Sequence, residues 1–254
     1  MSHVVAIVPY RVDEAGFRRR NLEIVLGWLE EGGIPVVLVE HADAPDESLA
    51  CADTVTRVHV PADGAPFNKA RACNAGFAST DAPIIALVDA DTLVPLASLN
   101  ASVEAVSKGM DAVRPYGRLI ELDEADTHRL FEGAELPAVE IGTRDDSREG
   151  ERIPLCGGIV VLTSSAFESV GGMDENFEGW GGEDDALSAA LGRARLQCGI
   201  LEQGAAFHLA HPRSMESRYG HAHYASNLER ARWWYEASDE EIAEHIRTSR
   251  DRLH

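Results

Sequence analysis

Two aspartates, Asp89 and Asp91, stand one residue apart directly after the apolar run Ile84-Ile85-Ala86-Leu87-Val88. In an extended chain, residues i and i+2 face the same side. Both carboxylates can therefore project from a strand end into a crevice that holds a hard divalent cation and a diphosphate. The same pair also fits an ordinary strand-terminating turn. His208 and His211 lie three residues apart at the end of the stretch Ala205 to Leu209. Imidazoles at such spacing are common metal ligands, although in a chain with 10 histidines they can equally be solvated surface groups. Combined with Asp91, a divalent-metal site of one aspartate and two histidines is the better account. Its mixed oxygen and nitrogen donors suit Mn2+, with Mg2+ as the alternative.

A second acidic group follows in Gly179-Trp180-Gly181-Gly182-Glu183-Asp184-Asp185. Carboxylates in a first helical turn complement the helix dipole, which is reason enough for them to be there. Adjacent acids also repel, and their environments can push their pKa values apart as a general base requires. Trp180 between glycines fits a sugar-stacking or closing-loop residue better than a core one. Asn68-Lys69-Ala70-Arg71 opens a helix after Pro66-Phe67, and a helix N-terminus with cations suits an anionic ligand. Solvated surface cations are the alternative. Lys69 stands out because the chain has only one other lysine, Lys108. Arg11, just past the first strand, is placed at the same sheet edge.

The elements that must position these groups alternate. Val4 to Val8, Pro35 to Val39, Thr56 to Val60 and Ile84 to Val88 read as buried strands. Phe17 to Leu29, Asn68 to Phe77 and Ala97 to Lys108 read as helices between and after them. This rhythm predicts an α/β fold with a mixed, mostly parallel central sheet flanked by helices. Ligands then bind beyond the carboxyl ends of the strands. Glu121 to Glu151 reads as a loop or irregular helix. Ile159 to Leu162 reads as a strand, Ser164 to Val170 and Asp185 to Leu196 as helices, Ala205 to Leu209 as a strand, and Ser226 to His254 as helical.

The 254 residues suit one large α/β domain, 1–254. Within it, about 1–115 and about 152–213 stand apart as two halves, with 214–254 as a C-terminal helical segment. The formal charge of -20 argues against stable binding to nucleic acid or anionic membrane surfaces. The four cysteines are far apart and form no C-x-x-C pair, which points to free thiols in a reducing compartment. No apolar run approaches 18 residues, and the expected location is the cytoplasm.

Pro9-Tyr10-Arg11, Phe67-Asn68-Lys69-Ala70-Arg71 with Asn74-Ala75-Gly76, and Asp89-Ala90-Asp91 resemble the donor-binding half of GT-A glycosyltransferases. Cys156-Gly157-Gly158-Ile159, Gly171-Gly172-Met173-Asp174-Glu175-Asn176-Phe177 and the Gly179 to Asp185 run resemble β-1,4-galactosyltransferases and polypeptide GalNAc-transferases. The likeness spans roughly Val4 to Arg213 and implies a nucleotide-binding half over about 1–115 and an acceptor and metal half over about 152–213. It implies a GT-A, Rossmann-like fold and transfer of a hexose or N-acetylhexosamine from a nucleoside-diphosphate sugar, with uridine as the base. The acceptor would be a hydroxyl on a glycan, lipid-linked sugar, metabolite, protein or modified nucleobase. It also implies roles. Pro9, Arg11, Phe67 and Lys69 would contact the nucleotide, and Asp89 would lie near the ribose. Gly158 would lie beside the donor sugar, and Trp180 on the closing loop. Asp91, His208 and His211 would hold the metal. Glu183 and Asp184 would hold the acceptor hydroxyl, with Asp184 as general base and inversion as the outcome. Retention would follow a closer kinship to the GalNAc-transferases.

Two other readings remain at this stage. A nucleotide-sugar pyrophosphorylase shares the architecture, but it calls for an N-terminal Gly-rich phosphate loop where this chain has Pro9-Tyr10-Arg11. A non-catalytic nucleotide-sugar binding protein would have no need of Asp91, Asp184 and both histidines.

Overall fold

The computed structural model describes residues 3–13, 15–136, 144–145, 155, 157–179, 181–212 and 222–253. Its strands are β1 (Val4–Tyr10), β2 (Val36–Ala42), β3 (Val55–Pro61), β4 (Ile84–Val88), β5 (Thr92–Leu93), β6 (Ala112–Arg114), β7 (Arg118–Glu121), β8 (Arg144–Asp145), β9 (Ile159–Thr163), β10 (Cys198–Ile200) and β11 (Ala205–His208). Its helices are α1 (Phe17–Glu31), α2 (Lys69–Phe77), α3 (Leu96–Ser107), α4 (Glu124–Phe131), α5 (Ser164–Ser169), α6 (Glu183–Arg193), α7 (Tyr224–Glu236) and α8 (Asp239–Arg250).

The central sheet has seven strands in the order β10-β6-β9-β4-β1-β2-β3. β9 runs antiparallel to both its neighbours, and the other pairs are parallel. Strands buried on both faces need continuous apolar runs, and β4 is buried throughout. Alternation along β1 divides the core. Ala6 and Val8 pack on one side with Leu22, Val25 and Leu29 of α1 and Leu99 of α3. Ile7 packs on the other with Phe77 of α2, Phe167 of α5 and Leu191 of α6. Truncating one such side chain to alanine costs about 2–5 kcal/mol.

A smaller sheet, ordered β5-β11-β7-β8, sits beside the first. β11 pairs with β5 antiparallel, setting His208 opposite Thr92, and with β7 parallel. Because β5 starts immediately after Asp91, this pairing carries residues more than a hundred positions apart to one place.

Several elements go beyond the sequence expectation, and of the stretch Glu121 to Glu151 residues 137–143 and 146–151 lie outside the described residues. The stretch after Glu121 contains α4, started by Asp123, whose carboxylate accepts from Asp126 N at 2.8 Å. The strands β6, β7 and β10 have three or four residues each, too few for alternation to stand out. The C-terminal segment is two helices, because Ser238 and Glu241 form a capping box that starts α8 afresh. No helix among the described residues is long and apolar enough to cross a membrane.

Candidate active site

The site lies where β4 and β11 end and β5 begins. Asp91 follows β4, and its backbone oxygen accepts from Leu209 N at 2.8 Å, stitching it to the end of β11. Nε2 of His208 lies 3.7 Å from Asp91 Oδ1, and Nε2 of His211 lies 3.3 Å from Oδ2. Ligand atoms of the three residues all fall within 4.8 Å of one another. One carboxylate oxygen and two imidazole nitrogens at that separation can share a divalent ion. Burial pushes the Asp91 carboxyl up, but the imidazoles of His208 and His211 outweigh it and hold it well below the usual carboxylate range. Asp91 is therefore ionised, as a metal ligand must be.

His211 is outside any strand and is placed by its neighbour. Ala210 N donates to Thr127 Oγ1 at 2.8 Å. Ala210 O accepts from Arg20 Nη2 at 2.9 Å and from Asn21 Nδ2 at 3.2 Å. Thr127 and Asn21 are fully buried, on α4 and α1.

Asp89 and Gly158 hold each other. Asp89 N donates to Gly158 O at 2.8 Å, and Gly158 N donates to Asp89 Oδ2 at 3.1 Å. Gly158 has φ +72°, and a Cβ there would meet Tyr116 Oη at 2.6 Å, so only glycine fits. The Tyr116 hydroxyl donates to Gly157 O and fixes the turn. Burial raises the Asp89 carboxyl to about 6, against the pull of Lys69 and with the push of Asp184 and Asp91.

Lys69 links this turn to the acidic run. Its Nζ is 2.7 Å from Asp89 Oδ1, and 2.9 and 3.0 Å from Asp184 Oδ1 and Oδ2. Burial works against its charge, but Asp184 and Asp89 outweigh that and hold the ammonium well above the ordinary lysine value. Glu183 opens α6 behind Gly182, which takes φ +98°. Glu183 is 8% exposed, and its Oε2 has no hydrogen-bond partner among the described residues. Burial, then the Asp184 charge, raises its carboxyl to about 7.

Just past the end of β1, Arg11 Cζ lies 5.6 Å over the Phe67 ring. His41, at the end of β2, meets that ring edge-on at 5.7 Å. Pro9 is buried in β1 opposite Val39. The geometry thus brings Asp91, His208 and His211 together, and Lys69, Asp89, Gly158 and Asp184 together. Arg11 and Phe67 form a separate stacked pair. Trp180 lies outside the described residues. Two surface concavities of about 490 and 450 Å³ lie on the C-terminal helices around Trp233, and no site residue lines them.

Sequence reasoning missed Tyr116, Thr127, Arg20 and Asn21. They act through the backbone of Gly157 and Ala210, and no residue pattern announces such contacts.

Comparison with known proteins agrees with this architecture. A family profile described as the N-terminal domain of galactosyltransferase matches residues 149–212. No curated protein matches the chain by sequence. Among solved structures, the catalytic domain of Drosophila β1,4-galactosyltransferase 7 in complex with xylobiose is similar at 17% identity, with a TM-score of 0.52. That match covers 90% of this chain and 79% of the other. A mutant of the same Drosophila enzyme, in complex with manganese, UDP-Gal and xylobiose, matches at 16% identity and a TM-score of 0.52, covering 89% and 79%. The chain has the GT-A-type fold of these galactosyltransferase domains.

Proposed function

We propose that this chain is a metal-dependent glycosyltransferase that moves a hexose or N-acetylhexosamine from a UDP-sugar to an acceptor hydroxyl, with inversion. The observation that carries the proposal is the convergence of Asp91, His208 and His211 beside the Asp89, Lys69 and Asp184 cluster. The Drosophila neighbour bound to manganese and UDP-Gal supports the donor class, and its xylobiose supports a sugar acceptor.

Asp91, His208 and His211 would hold Mn2+ or Mg2+, which supplies positive charge to the leaving diphosphate when bound. Arg11 and Phe67 would take the nucleotide base and ribose at the sheet edge. Lys69 adds a buried cation for phosphate oxygens. Asp184 takes the proton from the acceptor hydroxyl. The acceptor oxygen bonds to the anomeric carbon as the bond to the diphosphate oxygen breaks, and the diphosphate leaves with the electron pair. Glu183, next to Asp184, orients the acceptor. Attack opposite the leaving group inverts the anomeric centre.

A panel of nucleotide-sugars, assayed for released nucleoside diphosphate with and without Mn2+, tests this reading. Metal-dependent release from a UDP-sugar is the expected result. Binding of every donor without release under any condition would leave only a binding protein. Asp91→Asn is expected to abolish metal-dependent UDP binding. Asp184→Asn is expected to lose none of that binding and to lower transfer by at least about 100-fold, read by calorimetry and by product formation. Equal loss of binding in both variants would contradict the division of roles.

A further inference from the structure

Both carboxylate oxygens of Asp184 are engaged by one ammonium. Lys69 Nζ lies 2.9 and 3.0 Å from them, and 2.7 Å from Asp89 on its other side. These contacts tie the first residue of α2, the turn after β4 and the first turn of α6. The Lys69 side chain is 12% exposed, so water screens the pairing weakly. Both oxygens already accept hydrogen bonds from this cation, so an acceptor hydroxyl must compete with it for them. Asp89, the second partner, stands two residues from Asp91 of the metal trio. A diphosphate seated on that trio would bring further negative oxygens toward the same ammonium. Lysine is a point charge on a flexible four-carbon stem and can move between such partners.

We propose that Lys69 is a positioning residue that acts as a latch between the two substrates: it holds Asp184 until the donor diphosphate draws its ammonium away, and so frees the base only once the donor is in place. The inference rests on the function proposed above and adds an order of events to it. Coupling between sites is reciprocal. If the diphosphate must win Lys69 from Asp184, removing the Asp184 charge must strengthen diphosphate binding, and must do so through Lys69.

The test is a double-mutant cycle read by titration of UDP in the presence of Mn2+. Asp184→Asn is expected to tighten UDP binding about fivefold. In a Lys69→Met background the same change is expected to alter binding by less than about twofold. An equal gain in both backgrounds would show only relief of general repulsion and would overturn the latch. A second readout needs no change at Lys69. The chain has two lysines, Lys69 and Lys108, and Lys108 is exposed, so lysine side-chain NMR gives an assignable signal for each. Asp184→Asn is expected to displace the Lys69 signal in the protein alone and to have little effect once Mg2+ and UDP are bound. Equal displacement in both states would overturn the latch. UDP binding without coupling would remove the latch alone. Absence of UDP binding in the unaltered protein would remove the proposed function and the latch with it.

Discussion

Glu183 titrates where most carboxylates do not, near 7 rather than the ordinary 4.5, because burial and the Asp184 charge both resist its ionisation. A carboxyl raised on folding binds its proton more tightly in the folded chain. Its stabilising share is whole below about pH 4.5 and fades as pH rises through about 7. Glu183→Gln keeps the neutral shape and removes the titration. Relative to that variant, the unaltered protein is expected to lose up to about 3 kcal/mol between about pH 5 and pH 8. Urea unfolding of both proteins with a chelator present measures this. A difference independent of pH would contradict it. At this scale the sequence was readable where function needs particular atoms: the Asp89 and Asp91 pair, the two histidines, and the Glu183-Asp184-Asp185 run. What it did not disclose is that Lys69 faces Asp184, because residues 115 apart have no shared periodicity.

Elements bring these atoms together through backbone contacts. His211 depends on Ala210, and Ala210 depends on Thr127 of α4 and on Arg20 and Asn21 of α1. Thr127→Val keeps the shape and removes the acceptor of a part-buried N–H, at a cost of about 1 kcal/mol. The freed segment should hold His211 less firmly, so Mn2+ affinity is expected to fall about tenfold, as supporting contacts around metal ligands commonly show. Calorimetric Mn2+ titration with circular dichroism as the folding check reads both quantities. Unchanged affinity in a folded variant would remove the role given to Thr127. The apolar runs of β1, β2 and β4 gave away the central sheet, because parallel strands buried on both faces must be continuously apolar. The second sheet was hidden: β5 has two residues, and β7 owes its place to pairing with β11.

The whole molecule closes around a different carboxylate. Asp174, in the glycine-rich stretch leading to the acidic run, is fully buried at its side chain. It accepts from Arg230 Nε at 2.5 Å and Trp234 Nε1 at 2.8 Å on α7, and His245 of α8 stands 3.5 Å away. Burial opposes its charge, but His245 and Arg230 outweigh it and hold the carboxyl well below the usual range. Its stabilisation is therefore present above about pH 4 and is lost as pH falls toward its folded value. The C-terminal helices thus hold in place the segment that ends at Glu183 and Asp184. Asp174→Asn leaves Arg230 partly buried without its charge partner, and is expected to cost about 3 kcal/mol. In a chain of this size that lowers the thermal midpoint by about 6–12 °C, measured by circular dichroism. A midpoint within about 2 °C of the unaltered protein would contradict the clamp. Asp174 was visible in the sequence as part of the glycine-rich motif, but its partners came from a segment read only as helical.

The proposed function needs one ion shared by Asp91, His208 and His211. Electron paramagnetic resonance of the Mn2+–UDP complex, resolved for nitrogen hyperfine coupling, tests it most directly. The expected spectrum shows two coupled imidazole nitrogens, with one lost in His208→Ala and the other in His211→Ala. A Mn2+–UDP complex without nitrogen coupling would contradict the metal centre and the function built on it.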